Sequence, residues 1–358
     1  MDSIFKNLKV VELASVLAGP AVGMFFSELG AKVIKVENKS INGDVTRTWK
    51  LPTENPKSKS SAYYASVNWN KKTVFTDLKN AKEKTKILSL IKNADIVISN
   101  YKKGDDKKLG MDYESIKKIN PKLIYAQISG FGEDSSRTAF DIVLQAETGF
   151  MYMNGNKESG PIKMPVALID ILAAHQLKEG VLVALLKKTK TGKGCKVSVS
   201  LYDSAIASLA NQATNWLMAK HNPEPLGSLH PNIAPYGEIF ITLDKKQIVL
   251  AIGNNRQFKE LCLILKKEAL LKNAIFSDNR NRVKHRTKLF EILKIEFKKH
   301  NSKSLMNKFI EKDIPSAIIK SVKDALNDKQ AKPLLLKEND QFNGKSMRVK
   351  SSVFNITY

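Results

Sequence analysis

The segment VALIDILAAHQLKEGVLVALLKKTKTGKGCKVSVSL, residues 166–201, decides how this chain is read. Val166, Ala167, Leu168 and Ile169 form an apolar run that ends on the carboxylate of Asp170. Ala173, Leu177, Val181, Ala184 and Leu185 then recur three and four apart, the period of a helix with one buried face. Thr191-Gly192-Lys193-Gly194 supplies the glycines of a helix C-terminus. Residues 196–201 alternate, with Val197, Val199 and Leu201 on one side, which predicts a half-buried strand. Asp170 has two readings at this point. It is an N-cap whose carboxylate accepts the free N–H groups of the first turn, or it is a reactive acid at a helix start.

The N-terminal stretch has the same grammar. Residues 8–14 predict a strand, Ser15 to Gly19 a turn with Pro20 opening a helix, and residues 31–37 a second strand. This is a βαβ unit of an open α/β sheet, whose ligands lie at the C-terminal ends of the strands. Glu37 sits where a dinucleotide-binding protein carries its ribose acid. The loop holds Gly19 and Gly23 in place of G-x-G-x-x-G, so the pyrophosphate fingerprint is missing. Further elements are expected over residues 81–92 (helix), 95–99 and 123–128 (buried strands) and 204–220 (one long helix). A hairpin is expected from residues 237–242 and 247–252 around Asp244-Lys245-Lys246.

At 358 residues the chain has room for two domains. The four prolines within residues 222–235 suggest the crossing, giving a large Rossmann-like domain over 1–222, to which 331–358 returns, and a smaller α/β domain over 223–330. The formal charge is +24, but only seven of the 59 basic residues are arginines, leaving 52 lysines spread through amphipathic helices. Arginine reads base edges in a fork and lysine supplies point charge. A solvated lysine surface is therefore the first reading, a polyphosphorylated small ligand the second, and nucleic acid is not expected. Cys195 and Cys262 have no partner at metal or redox spacing, and the five histidines are scattered, so no metal is expected. No apolar run has the length of a membrane span, and residues 1–10 lack a signal peptide's core, which points away from the membrane and to the cytoplasm.

The motifs along the chain carry a resemblance. F-D-x-x-x-Q-A-x-[ST]-G at Phe140 to Gly149, the Gly160-Pro161 turn, Asp170 opening a small-residue helix, K-T-G-x-G and V-x-V-S-L together are similar to the core of the family III CoA-transferases. That family includes the formyl-CoA and carnitine CoA-transferases, with α-methylacyl-CoA racemases as a sister branch. V-x-A-G-P at Val16, Ala18, Gly19 and Pro20 resembles its thioester-arm loop, with Leu17 where some members carry glutamine. Gly43-Asp44-Val45-Thr46-Arg47 resembles its G-D-x-x-R turn, whose other reading is an Asx turn with a surface arginine. Asn70-Lys71, Asn100-Tyr101, Lys108 and Arg137 match its CoA-contacting positions. Strand-edge or surface roles stay open for Asn70, Lys71 and Arg137. Lysines replace the proline and the arginine at Lys103 and Lys108.

The resemblance implies a CoA-transferase using acyl-CoA and a carboxylic acid, an interlocked homodimer, Asp170 as nucleophile and Asp141 as its support. Asp141 alone reads equally as a turn acid. The alternatives are a 2-methylacyl-CoA racemase and a CoA-binding protein without turnover. Against the first, Phe140 stands where racemases have a histidine, and phenylalanine moves no proton. Phe140 is read with Val16 and Ala18 as a CoA-side residue. Gly130 and Gly132 are read as places where a ligand approaches the backbone.

Overall fold

The computed structural model describes residues 4–340 and 344–357. They divide into two compact units, Met1–Met151 with Lys163–Pro223 and Pro333–Tyr358, and Tyr152–Ile162 with Glu224–Lys332. The excursion at Tyr152–Ile162 carries no composition change in the sequence.

The first unit is built on a parallel sheet. Its strands are β1 (Lys9–Glu12), β2 (Lys32–Asn38), β3 (Lys72–Thr76), β4 (Ile96–Ser99), β5 (Ile124–Ser129) and β6 (Cys195–Ser200), in the spatial order β3-β2-β1-β4-β5-β6. β4 and most of β5 are buried on both faces, so they read as continuous apolar runs where a half-exposed strand would alternate. The sheet is accompanied by α1 (Ala18–Glu28), α2 (Ala81–Lys92), α3 (Asp141–Glu147), α4 (Leu168–Thr191) and α5 (Leu201–Ala207), after which comes α6 (Ala210–Ala219), none of whose residues is buried. The strand order reverses between β1 and β4, and the chain leaves both strands on the same edge. That crevice is where doubly wound sheets bind ligands.

α4 buries Ile169, Ala173, Ala174, Leu177, Val181 and Ala184 and stops at Gly192, whose φ of +67° disfavours a Cβ. Its start differs from expectation. The helix opens at Leu168 with Ala167 as N-cap, so Asp170 lies inside the first turn and caps nothing. Leu201 likewise begins α5 and is not the last strand residue. The single helix expected over 204–220 is two, broken after Ala207, with Ala210 at φ +49°.

Arg47 is not a surface arginine. It is 5% exposed and grips Glu37 with Nε–Oε2 at 2.7 Å and Nη2–Oε1 at 2.8 Å, with Tyr64 beside the pair. Glu37 is therefore committed inside the protein. The C-terminal hairpin, Leu335–Asp340 with Gly344–Val349, belongs to this unit, where Arg348 pairs with Glu28 of α1.

The second unit holds an antiparallel sheet of β7 (Tyr236–Ile241), β8 (Gln247–Ala251) and β9 (Ser316–Ile318), ordered β9-β8-β7. Phe240, Ile248, Leu250, Phe258, Phe297 and Phe309 form its core with the surrounding helices. Burial pushes the Cys262 thiol there up to about 12, which leaves it a packing residue.

Candidate active site

Four strand ends of the first unit converge on one cavity of about 270 Å³. Ser15 to Ala18 follow β1, Asn100 to Lys103 follow β4, Gln127 to Gly130 close β5, and Leu201 follows β6. Gly132, Glu133, Ser135, Arg137 to Phe140 and Asp170 complete the wall. Asp170 reaches the cavity because α4 begins two residues earlier and its first turn faces the strand ends.

The Asp170 side chain is 8% exposed, and among the described residues no donor bonds its carboxyl. Burial, with the Asp141 charge second, pushes that carboxyl up to about 7. Asp141 is different. At the first position of α3 it accepts from the Ile169 N–H at 2.8 Å and from Gln145 Nε2 at 2.6 Å. Gln145 in turn accepts the Met164 N–H at 2.8 Å. Asp141 thus supplies from another helix the cap expected of Asp170, satisfying an otherwise free N–H of the first turn. It fixes the residue next to Asp170 and leaves the Asp170 oxygens uncommitted. Tyr63 has no motif to single it out in the sequence. Its hydroxyl is pushed up to about 12 by burial and then by the charges of Asp170, Asp141 and Asp44.

The loop after β1 is held in an unusual conformation. Val16 has φ +70°, a region that β-branched residues avoid, at a cost of about 1–3 kcal/mol. Asp44 holds it there by accepting the Val16 N–H at 3.1 Å and the Thr46 N–H at 3.0 Å. Lys35, fully buried, pairs with Asp44 at 3.1 Å and Glu12 at 2.9 Å. Asn100 ties the two loops of the crevice together. Its Oδ1 accepts the Ser15 N–H at 3.0 Å, and its Nδ2 donates to the Ser15 carbonyl at 2.8 Å.

The other expected contacts separate into two groups. Val16, Ala18, Asn100, Tyr101, Arg137 and Phe140 line the cavity with Asp170. Lys71 does not. It is buried on Glu12 at 2.7 Å and the Pro20 carbonyl at 2.8 Å, and burial lowers its ammonium to about 8. The Asn70 N–H donates to Glu338 at 2.7 Å and the Asn70 carbonyl accepts from Ser27 at 3.0 Å. The side chain of Lys108 is 80% exposed, paired with Asp105, and outside the lining. Lys102 and Lys103, in the loop before the short helix Asp105–Leu109 that carries Lys108, line the cavity instead. The missing Cβ of Gly130 makes room for Ala139, whose Cβ would lie 2.3 Å from it, and not for a ligand. No histidine is among the lining residues, and no cluster of metal-ligating side chains occurs among the described residues. Among the described residues no helix is long and apolar enough to cross a membrane.

Comparison with known proteins bears on the family and the fold. The sequence model for "CoA-transferase family III" matches residues 5–355. A succinate–glutarate CoA-transferase of Agrobacterium fabrum is 36% identical over 330 residues, 90% of this chain and 82% of the relative. The human succinyl-CoA:glutarate CoA-transferase is 34% identical over 328 residues, 91% of this chain and 74% of the relative. A crystal structure of a CAIB/BAIF family protein from Brucella suis superposes with a TM-score of 0.87 at 34% identity, covering 99% of this chain and 93% of that one.

Proposed function

The chain belongs to CoA-transferase family III, and from that membership we propose that it moves CoA from an acyl-CoA thioester to a free carboxylic acid through covalent intermediates on Asp170. The observation that carries the proposal is the Asp170 carboxyl itself, buried at the strand-end cavity with no donor on it among the described residues. An Asp170 oxygen attacks the acyl carbonyl carbon, the C–S bond breaks, and CoA leaves as a thiolate, giving a mixed anhydride. The thiolate attacks the aspartyl carbonyl carbon, releases the donor acid and leaves an aspartyl-CoA thioester. The acceptor carboxylate then attacks that thioester, and the thiolate released attacks the acceptor's acyl carbon. This regenerates Asp170 and yields the new acyl-CoA.

Burial and the Asp141 charge both work against a carboxylate at Asp170. Acylation removes that charge, so the surroundings favour the covalent state over the resting ion. The names of the two relatives put succinate and glutarate first among the acids. Incubation of succinyl-CoA with glutarate is expected to yield glutaryl-CoA by mass spectrometry. Failure across a panel of short-chain acyl-CoAs and dicarboxylates would count against the reading.

The racemase alternative makes a different demand, since inverting a carbon needs acid–base groups on both of its faces. With Phe140 and no histidine in the lining, 2-methylacyl-CoA in heavy water is expected to gain no deuterium at the α-carbon. Rapid deuteration without acyl exchange would reverse the assignment.

CoA's phosphates call for cations, and Lys102, Lys103 and Arg137 stand at the cavity. Lys102→Ala is expected to weaken CoA binding by about 1–3 kcal/mol in a calorimetric titration, with turnover at saturating CoA thioester preserved. Lys108→Ala is expected to leave affinity within about threefold, less than 1 kcal/mol. The opposite pattern would return the phosphate role to Lys108.

A homodimer belongs to the same proposal. α6 buries none of its residues and leaves Trp216, Leu217 and Met218 exposed at 51%, 67% and 83%. Sedimentation is expected to give twice the 40.0 kDa chain mass, and a monomer at micromolar concentration would contradict it.

A further inference from the structure

A second cavity of about 590 Å³ lies in the first unit, with no residue in common with the Asp170 cavity. Its lining is largely apolar and includes Phe5, Phe25, Leu29, Leu182, Phe354 and Ile356. Its size falls within the roughly 300–1,000 Å³ of small-molecule sites. One charged side chain in this wall is out of place. Lys178 of α4 is 7% exposed, and among the described residues its ammonium makes no hydrogen bond and no salt bridge. Its neighbours are the Phe25 ring at 5.5 Å and, at longer range, Glu28.

Glu28 is engaged elsewhere. Its carboxylate pairs with Arg348 and accepts the Ser351 N–H at 3.0 Å and the Ser352 N–H at 2.8 Å. Ser351 and Ser352 also line the cavity, and their hydroxyls are buried without partners among the described residues. His175 and Glu179 are exposed lining residues on the same helix. A largely buried lysine with no ion pair, and two buried hydroxyls with no partner among the described residues, are costly unless something anionic meets them.

We propose that this cavity binds an aliphatic monocarboxylate of medium chain length, its head on Lys178 with Ser351 and Ser352 nearby, and its chain against the apolar walls. Burial lowers the Lys178 ammonium from its usual range, and a bound carboxylate would reverse that effect. The probe is decanoate, titrated calorimetrically into the full chain. Saturable binding of one decanoate per chain is expected, undisturbed by saturating CoA. Decanol, which has the same chain without the charge, is expected to bind at least about tenfold more weakly, the scale of a hydrogen bond to a charged group.

Lys178→Met keeps the length and removes the charge. It is expected to lose about tenfold or more in decanoate affinity, to bind decanol as the parent does, and to retain CoA exchange. Because it replaces a largely buried lysine that makes no ion pair among the described residues, its melting temperature should not fall. If it does not fold, the decanoate–decanol comparison on the parent chain decides. No saturable decanoate binding, displacement by CoA, decanol binding as tightly as decanoate, or equal decanoate affinity in Lys178→Met would each overturn the proposal.

Discussion

Asp170→Asn is expected to lower acyl exchange by at least about 10³-fold, the scale seen when an enzyme loses a covalent nucleophile, while CoA affinity stays within a few-fold. The asparagine amide occupies nearly the same volume, and Asp141 holds the neighbouring Ile169 N–H whether or not position 170 is ionised. The cavity therefore keeps its shape, since Val16, Asn100, Lys102 and Lys103 are held by Asp44, Ser15, Thr138 and Asp134 without any contribution from Asp170. What is lost is an oxygen able to form an anhydride. Exchange at a rate near that of the parent would remove Asp170 from the chemistry altogether.

The same substitution is expected to stabilise the protein, increasingly as pH rises above about 4 and fully above about 7. The Asp170 carboxyl is pushed from the ordinary 3.8 up to about 7 in the folded chain. Between those values the folded state holds a proton that the unfolded state has released, so stability falls as pH rises through the window. Above about pH 7 the full penalty applies, on the order of 4 kcal/mol from a shift of about three pH units. Asp170→Asn removes it, and the variant should melt several degrees above the parent at pH 8 and together with it near pH 4. A gap that is the same at both pH values would mean that Asp170 is not perturbed. In the parent, exchange should rise with pH through about 7 as the nucleophile ionises.

Local pattern made much of the scaffold legible. The helix at residues 81–92 and the strands around residues 96, 124 and 195 follow from periodicity, because their burial is one-sided or complete over a short run. The carboxylates at 141 and 170 stood out through their motif. Their division of labour did not, because it depends on a hydrogen bond between helices 28 residues apart in the chain. Lys71 and Arg47 look in sequence like free cations. Their partners, Glu12 and Glu37, sit on β1 and β2, and only the folded chain buries the pairs. The break between α5 and α6 has neither glycine nor proline to announce it. Val16 at positive φ has no local signal either, since the carboxylate that holds it follows 28 residues later.

The central claim is a covalent bond to Asp170, and trapping tests it most directly. The protein is incubated with its acyl-CoA donor and hydroxylamine, then digested and mapped by mass spectrometry. An activated aspartyl carbonyl, whether thioester or anhydride, is expected to be captured as a hydroxamate on Asp170, with exchange activity lost in step with the modification and no labelling when the donor is omitted. Loss of activity with Asp170 unmodified, or a hydroxamate on a different carboxylate, would contradict the account.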